Sequence, residues 1–421
     1  MEANEERWRR SMATHGGYDD RAALGVLEPE DMLSPRHYAA VRRGGRLMRA
    51  LPLWCYTSER FYQVEKERVL LRSWNLLERA EVVPNVGDFH SMSFLGVPLL
   101  VVRGKDMQVR VFANTCRHRG ALVAEGSGNC KVFRCPYHFW TYGLDGRLIG
   151  APDYVDPDGK ALIDGTNKDE FGLAEVESGT WGGFIFVRFK PAPETLEQHL
   201  GAFVETLASH RLEEMACAKK VVYDMDANWK CFVENYIDGY HIPYVHKDSL
   251  ARWKTQDYVR VESKGEEYVS FARHEGSQLL LPFSDYKGFP PMPRVDKDKV
   301  GGTFFTTLRP GVMMTLGNDG ALVFQSEPIS ARKSRLTVSS LFPKSYFERS
   351  DFEELVQNYY RRNDIVVVED KEIALRQYAG IQSPYARIAR LCESETRLHV
   401  LANWIVDRVL ASASGETIAA E

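Results

Sequence analysis

Two short runs, Cys116-Arg-His118 and Cys135-Pro-Tyr-His138, constrain this chain more than anything else in it; 16 residues lie between them. Each brings a thiolate and an imidazole to the tip of a loop. Two such loops side by side on a β scaffold present two sulfurs and two nitrogens. That set can hold zinc, or a two-iron cluster in which two His replace two Cys on one iron. The cluster fits better. A zinc finger needs a helix here, whereas Tyr137-His138-Phe139-Trp140 continues into the strand-like TYGLDGRLIG. Each loop also pairs one Cys with one His, so Cys116 and Cys135 can take one iron and His118 and His138 the other. The remaining cysteines have no His two or three residues downstream, and seven in all form no disulfide framework.

The surrounding sequence reads as β structure. VPLLVVRG, VRVFAN, KVFRC and GGFIFVRF are β-rich runs divided by Gly, Asp and Asn. Upstream, Phe61, Val64 and Leu71 recur at helical spacing. Before them lies a polar extension ending in a basic stretch with Arg42, Arg43, Arg46 and Arg49. After Pro191 and Pro193, VVYDMDANWK leads from a strand into a helix over about 228–241. VGGTFFTTL, GVMMTLG, GALVFQSEP and RLTVSSLFP read as consecutive antiparallel strands. Ser350 and Glu353 predict a capping box for a helix with Phe352, Leu355, Val356 and Tyr359 on one face. The chain thus divides into an extension at 1–52, an N-terminal helix at 53–80 packed on the C-terminal domain, an all-β domain at 81–190 and a larger domain at 191–421.

Hydrophobic residues at 44% and charged residues at 27% are ordinary globular usage and rule out wholesale disorder. A net charge of −4 removes the bulk basic field that nucleic-acid binding needs. No apolar run approaches the roughly 18 residues of a membrane helix. The polar start, MEANEERWRRS, has no signal-peptide core after it. A soluble, cytoplasmic protein is expected.

A second constellation lies in NWKCFVENYIDGYHIPYVH. On a helix, Glu234, Asp238 and His241 share one face. His246 is five residues past His241, a rotation of about 140° on a straight helix. Gly239 and Pro243 can break that helix and return His246 toward His241. Two His and one carboxylate form the facial triad of non-haem Fe(II) oxygenases, which leaves positions open for O₂. A carboxylate distant in sequence is the expected third donor. Asp364, Glu369, Asp370 and Glu372, on one C-terminal helix, all qualify. Apolar residues over 276–325 (Leu279, Leu281, Phe283, Phe289, Phe304, Phe305, Met313, Met314) either line a substrate cavity or form core. Arg309 is either a partner for a substrate carboxylate or a surface residue.

NTCRHRGALV and FRCPYHFWTYGLDGRL resemble the Rieske domain of the Rieske non-haem iron oxygenases, the large α subunits of ring-hydroxylating and related enzymes. DGYHIPYVH is most similar to choline-monooxygenase-type members of that family. The resemblance spans roughly 50–385. It implies an α+β fold: a small all-β Rieske 2Fe–2S domain beside a larger helix-grip catalytic domain with an antiparallel sheet. It implies a cluster on Cys116, His118, Cys135 and His138, and a mononuclear Fe(II) on His241, His246 and a third ligand. The run VVVEDKEIALRQYAGIQSP resembles the stretch that carries this ligand and places it at Asp370. By the same resemblance, Asp238 joins His138 of one subunit to His241 of the next, in a homotrimer with or without β subunits. Asn235, like Asn228, supports the site through hydrogen bonds. The implied activity is a mono- or dioxygenation of a small organic substrate, aromatic or alicyclic, or alternatively a quaternary amine. An electron carrier without oxygenase activity is the reading from another class. No GxGxxG run occurs, so NAD(P)H and flavin belong to a partner reductase, with or without a ferredoxin.

Overall fold

The computed structural model describes residues 28–154, 167–252, 258–282, 286–296, 299–383, 385–387 and 390–411. Residues 1–27 of the 1–52 extension and Phe283 lie outside them.

Among the described residues three sheets, all antiparallel, carry the architecture. In the first, seven strands lie in the spatial order Asn75–Arg79, Phe184–Arg188, Glu175–Trp181, Val109–Ala113, Val97–Arg103, Asp88–Phe94 and Ser127–Asn129. A small sheet of Phe133–Arg134, Thr141–Tyr142 and Leu148–Gly150 stands beside it. The edge strand Asn75–Arg79 pairs with Phe184–Arg188, so this β unit begins ahead of the boundary read at residue 81.

Strand Val97–Arg103 shows what joins the two halves. Successive side chains of a strand face opposite ways. Leu99 and Val101 face the main core of the molecule, while Leu100 and Val102 pack with Phe112, Phe133, Trp140 and Tyr142 in a second, smaller core. A strand buried on both faces is apolar throughout, as VPLLVV is. The smaller core holds Cys116 and Cys135.

The second seven-stranded sheet has the order Met215–Met225, Lys333–Pro343, Ala321–Ser330, Val312–Leu316, Gly302–Leu308, Glu267–Arg273 and Tyr258–Val261. Five helices matter for the site: α1 (Glu59–Arg68), α2 (Trp229–Ile237), α3 (Ile242–Val245), α4 (Phe352–Ile381) and α5 (Thr396–Leu410). Phe352, Leu355, Val356 and Tyr359 of α4 are buried together, as the periodicity predicts. The capping box does not form: α4 starts after Asp351, which makes no side-chain cap bond and instead pairs with Arg349. Phe289 stacks on Phe352 and Tyr359, and Met313 and Met314 are fully buried in strand Val312–Leu316, so these residues are core.

A buried ion pair ties α1 to α2. Lys230 Nζ lies 2.8 and 2.9 Å from the two carboxylate oxygens of Glu65, which also accepts from Trp229 Nε1 at 2.9 Å. Both charged side chains are fully enclosed. Lys230→Met leaves a buried carboxylate without its cation and is expected to destabilise the protein by about 3–5 kcal/mol. The double variant Glu65→Leu/Lys230→Met should recover most of that loss in thermal unfolding. A single variant as stable as wild type contradicts this assignment.

Candidate metal centres

Both Cys/His loops close on themselves through backbone bonds. Cys116 N–H donates to Ala121 O at 2.8 Å, and Gly120 N–H returns to Cys116 O at 2.9 Å. In the second loop Cys135 N–H donates to Trp140 O at 2.8 Å, and Phe139 N–H to Cys135 O at 3.0 Å. This tight turn sets Phe139 at a φ of 58°, in the left-handed region that an aromatic residue rarely occupies. Tyr142 braces the first loop: its hydroxyl lies 3.2 Å from Cys116 Sγ and accepts from Arg117 N–H at 3.0 Å.

The two imidazoles point inward. His118 Nδ1 and His138 Nδ1 are 3.1 Å apart, and Trp140 stacks on His118 with ring centroids 5.0 Å apart. The two sulfurs sit in the small core and the two nitrogens converge beside it. Among the described residues, the group of three or more Cys, His or acid donor atoms converging within 4.8 Å is His241, His246 and Asp370. The four loop donors do not converge in that way, although a single tetrahedral zinc would require it. Paired thiolates and paired imidazoles suit a two-iron cluster.

The second centre is built by α2, α3 and α4. Asn228 caps α2, accepting from Lys230 N–H, and donates to Tyr56 O and Ala331 O. It therefore anchors the helix start and does not reach the site. Helix α2 ends at Ile237; Asp238 lies past its C-terminus, and His241 precedes α3. The break therefore falls over 238–241. Pro243 is in the first turn of α3, where a missing N–H costs nothing. One turn later the chain reaches His246.

These turns bring His246 Nε2 to 3.3 Å from His241 Nε2. Asp370 Oδ1, on α4, lies 3.0 Å from His246 Nε2 and 3.5 Å from His241 Nε2. Three atoms at such separations can all sit about 2.1 Å from one common point, the usual bond length of imidazole nitrogen and carboxylate oxygen to a metal. The donor set fits a mononuclear iron.

Each imidazole presents its other nitrogen to an acid. His246 Nδ1 is 2.7 Å from Glu369 Oε2, which also accepts from Ser249 Oγ at 2.7 Å. His241 Nδ1 is 3.3 Å from Asp238 Oδ2, without hydrogen-bond alignment, and Asp238 Oδ1 accepts from Tyr240 N–H at 2.6 Å. Asn235 Nδ2 donates to Asp370 Oδ1 at 2.7 Å, holding that oxygen toward the imidazoles. In the metal-free protein burial works against the charged imidazole of His241. Asp238 and Asp370 outweigh it and push the group up to about 9. Burial likewise opposes ionisation of Asp370, yet its bonds to His241 and His246 hold it well below the usual carboxylate range.

The other acids go elsewhere. Asp364 pairs with Lys219 on the surface, and Glu372 with Arg376. Glu234 turns into the core, where it accepts from Tyr56 at 2.6 Å and burial pushes it up to about 7. Arg309 pairs with Glu266 at 2.9 Å. It lines a cavity of about 300 Å³ with Val233, Ile237, Tyr268 and Arg397. Glu369, a rival for the third ligand in the sequence, is the partner of His246. No helix among the described residues is long and apolar enough to cross a membrane.

Residues 73–159 match the Rieske [2Fe-2S] domain, and 212–411 match the ring hydroxylating alpha subunit (catalytic domain). The chain is 26% identical over 363 residues to the chloroplastic choline monooxygenase of Spinacia oleracea, covering 83% of this chain and 76% of that one. It is 27% identical over 336 residues to the carnitine monooxygenase oxygenase subunit of Acinetobacter pittii, covering 77% and 85%. Naphthalene 1,2-dioxygenase from Rhodococcus sp., crystallised with indole, has the same fold at a TM-score of 0.71 and 18% identity, covering 91% of this chain and 100% of that one. A cluster-binding β unit and an α-subunit catalytic unit thus stand in one chain, which belongs to the Rieske non-haem iron oxygenases as a large subunit.

Proposed function

We propose that this chain is a terminal oxygenase. With O₂ and electrons from a separate reductase, it hydroxylates a small organic substrate. One observation carries this reading: a single chain holds both the Cys/His/Cys/His loops and the converging His/His/Asp donors. An electron carrier needs only the first set. In this reading Cys116, His118, Cys135 and His138 hold the 2Fe–2S cluster, and His241, His246 and Asp370 hold the iron. When bound, the cluster relays single electrons and the iron offers open positions for O₂. The chain's own contribution is orientation. Glu369 fixes the His246 ring and raises its basicity, the Asp238 carboxylate lies beside Nδ1 of His241, and Asn235 fixes the Asp370 carboxylate.

A quaternary amine is the favoured substrate class. It rests on the choline and carnitine monooxygenases, similar at 26% and 27% identity over most of the chain. The aromatic or alicyclic reading has the shared fold of naphthalene dioxygenase behind it, at 18% identity.

The assembly we infer is a head-to-tail homotrimer, with Asp238 between His138 of one subunit and His241 of the next. Its support is two aromatic surfaces. Tyr137 and Phe139 flank His138, Tyr240 and Tyr244 flank the turn at His241, and each is more than half exposed. Aromatic residues are enriched at subunit interfaces, and a head-to-tail contact joins two different surfaces of the same chain.

Purified protein should be red-brown, with Rieske absorption, a Rieske electron resonance signal when reduced, and about three irons per chain. His118→Ala and His138→Ala should abolish that signal. A colourless protein holding one tetrahedral zinc sinks the oxygenase reading.

A further inference from the structure

The apolar stripe of α4 is interrupted where it should be most apolar. Between the buried Tyr359 and Val366 stand Arg362 and Asn363, both on the buried side. Arg362 is 5% exposed. Its Nε has no hydrogen-bond partner, and its Nη1 makes one long contact, 3.4 Å, to Asn363 Oδ1. Asn363 is held in turn by Ser340 Oγ, 3.1 Å from its Nδ2, which docks this turn against strand Lys333–Pro343.

Among the described residues no carboxylate is hydrogen-bonded or ion-paired to the guanidinium. Asp370 and Glu369 are the acids whose charge reaches it, and Tyr236 of α2 is the third group that does. Asp370 is already engaged by His241, His246 and Asn235, and Glu369 by His246 and Ser249. Tyr236 donates to Met314 O or Thr315 Oγ1. An iron on Asp370 would draw that charge further from Arg362. Burial lowers the pKa of Arg362 to about 10, so the group stays charged at neutral pH.

A buried, unpaired cation is among the most costly features a core can carry. Structural arginines in protein interiors have partners. One held in place without a partner, on the helix that supplies the third donor of the iron site, awaits an anion. Eight residues separate Arg362 from Asp370, about 12 Å of helical rise. That is the separation of the two backbones; the side chains approach closely enough for the Asp370 charge to act on the guanidinium.

We propose that Arg362 is the anchor for a carboxylate on the substrate, holding it while another carbon of the same molecule lies at the His241/His246/Asp370 centre. This rests on the oxygenase reading and narrows it to carboxylate-bearing substrates. It also replaces Arg309, whose guanidinium is taken by Glu266.

The test uses matched pairs that differ in one group: glycine betaine against choline, and benzoate against benzyl alcohol. Iron-loaded wild type, Arg362→Gln and Arg362→Met are compared by thermal unfolding and by cluster oxidation on exposure to O₂. At least one carboxylate should raise the unfolding temperature of wild type, and its alcohol should not. Arg362→Gln should weaken that response about 100-fold, the scale of losing one partner of a buried charge pair, with the loss falling on KM. Ligand-free Arg362→Met should unfold at or above the wild-type temperature, because it removes an uncompensated charge. A structural arginine predicts the opposite.

The anchor is overturned if no carboxylate stabilises wild type, if an alcohol matches its acid, if Arg362→Gln binds unchanged, or if the Gln and Met variants lose stability or fail to fold. The Rieske spectrum and iron content of the same wild-type sample report separately on the oxygenase reading. Their absence sinks that reading. Their presence with no carboxylate response sinks the anchor alone.

Discussion

Asp370→Ala should abolish turnover and empty the proposed mononuclear site, while the protein keeps its Rieske spectrum. The two centres are built from different parts of the chain, the cluster loops from 116–138 and the second site from α2, α3 and α4, so loss at one should leave the other intact. Asp370 Oδ1 faces both imidazole Nε2 atoms, and its removal leaves two neutral donors, too few to hold iron firmly. His241→Ala and His246→Ala should behave alike. The neighbouring acids grade the result. Glu369→Gln perturbs the bond that orients His246 and should cost about 10–100-fold in activity or iron affinity. Asp364→Ala breaks one exposed pair with Lys219 and should change little. Iron analysis and single-turnover product yield decide between them. If Asp370→Ala keeps both while Glu369→Gln loses both, the ligand is Glu369.

Asp238→Asn should leave both centres occupied and the cluster reducible, yet cut turnover by at least about 100-fold. Within a chain Asp238 already touches one side of the proposed path, His241 Nδ1 at 3.3 Å. On the other side, the Nδ1 of His138 is turned inward to His118, leaving its Nε2 for a partner. A carboxylate that accepts from both rings fixes them and shortens the route between the centres. Asparagine keeps the shape but loses the charge and one acceptor site. The measurement is one turnover from pre-reduced cluster with substrate bound. Wild type should oxidise its cluster as product forms, and the variant should lag far behind. Equal rates, or an active monomer by ultracentrifugation, would falsify the bridge.

Sequence alone went far where the chemistry is local. Cys116 with His118 and Cys135 with His138 lie within single loops, so their spacing already states what they can hold. His241 and His246 were legible as a pair for the same reason, given a break between them. Most strands were readable because alternating or wholly apolar runs reflect burial directly.

Other features depended on contacts across the fold. The break falls over 238–241, with Pro243 beginning the next helix, because the ends of α2 and α3 are set by backbone bonds and not by the breakers themselves. Spacing alone does not say which of Glu369 and Asp370 meets the imidazoles, and only a family resemblance pointed to Asp370; the rotation of α4 against α2 turns Asp370 to both Nε2 atoms and Glu369 to His246 Nδ1. The same packing puts Asn235 on Asp370 and turns Glu234 away to Tyr56. Arg362 left a trace in the sequence, a charge in an apolar stripe, but only the folded core shows that no acid answers it. Spacing along the chain fixes which donors share a loop or a helix face. Which donors from distant segments come within bonding distance is set by how helices pack, and one sequence position on a helix is a turn of about 100°.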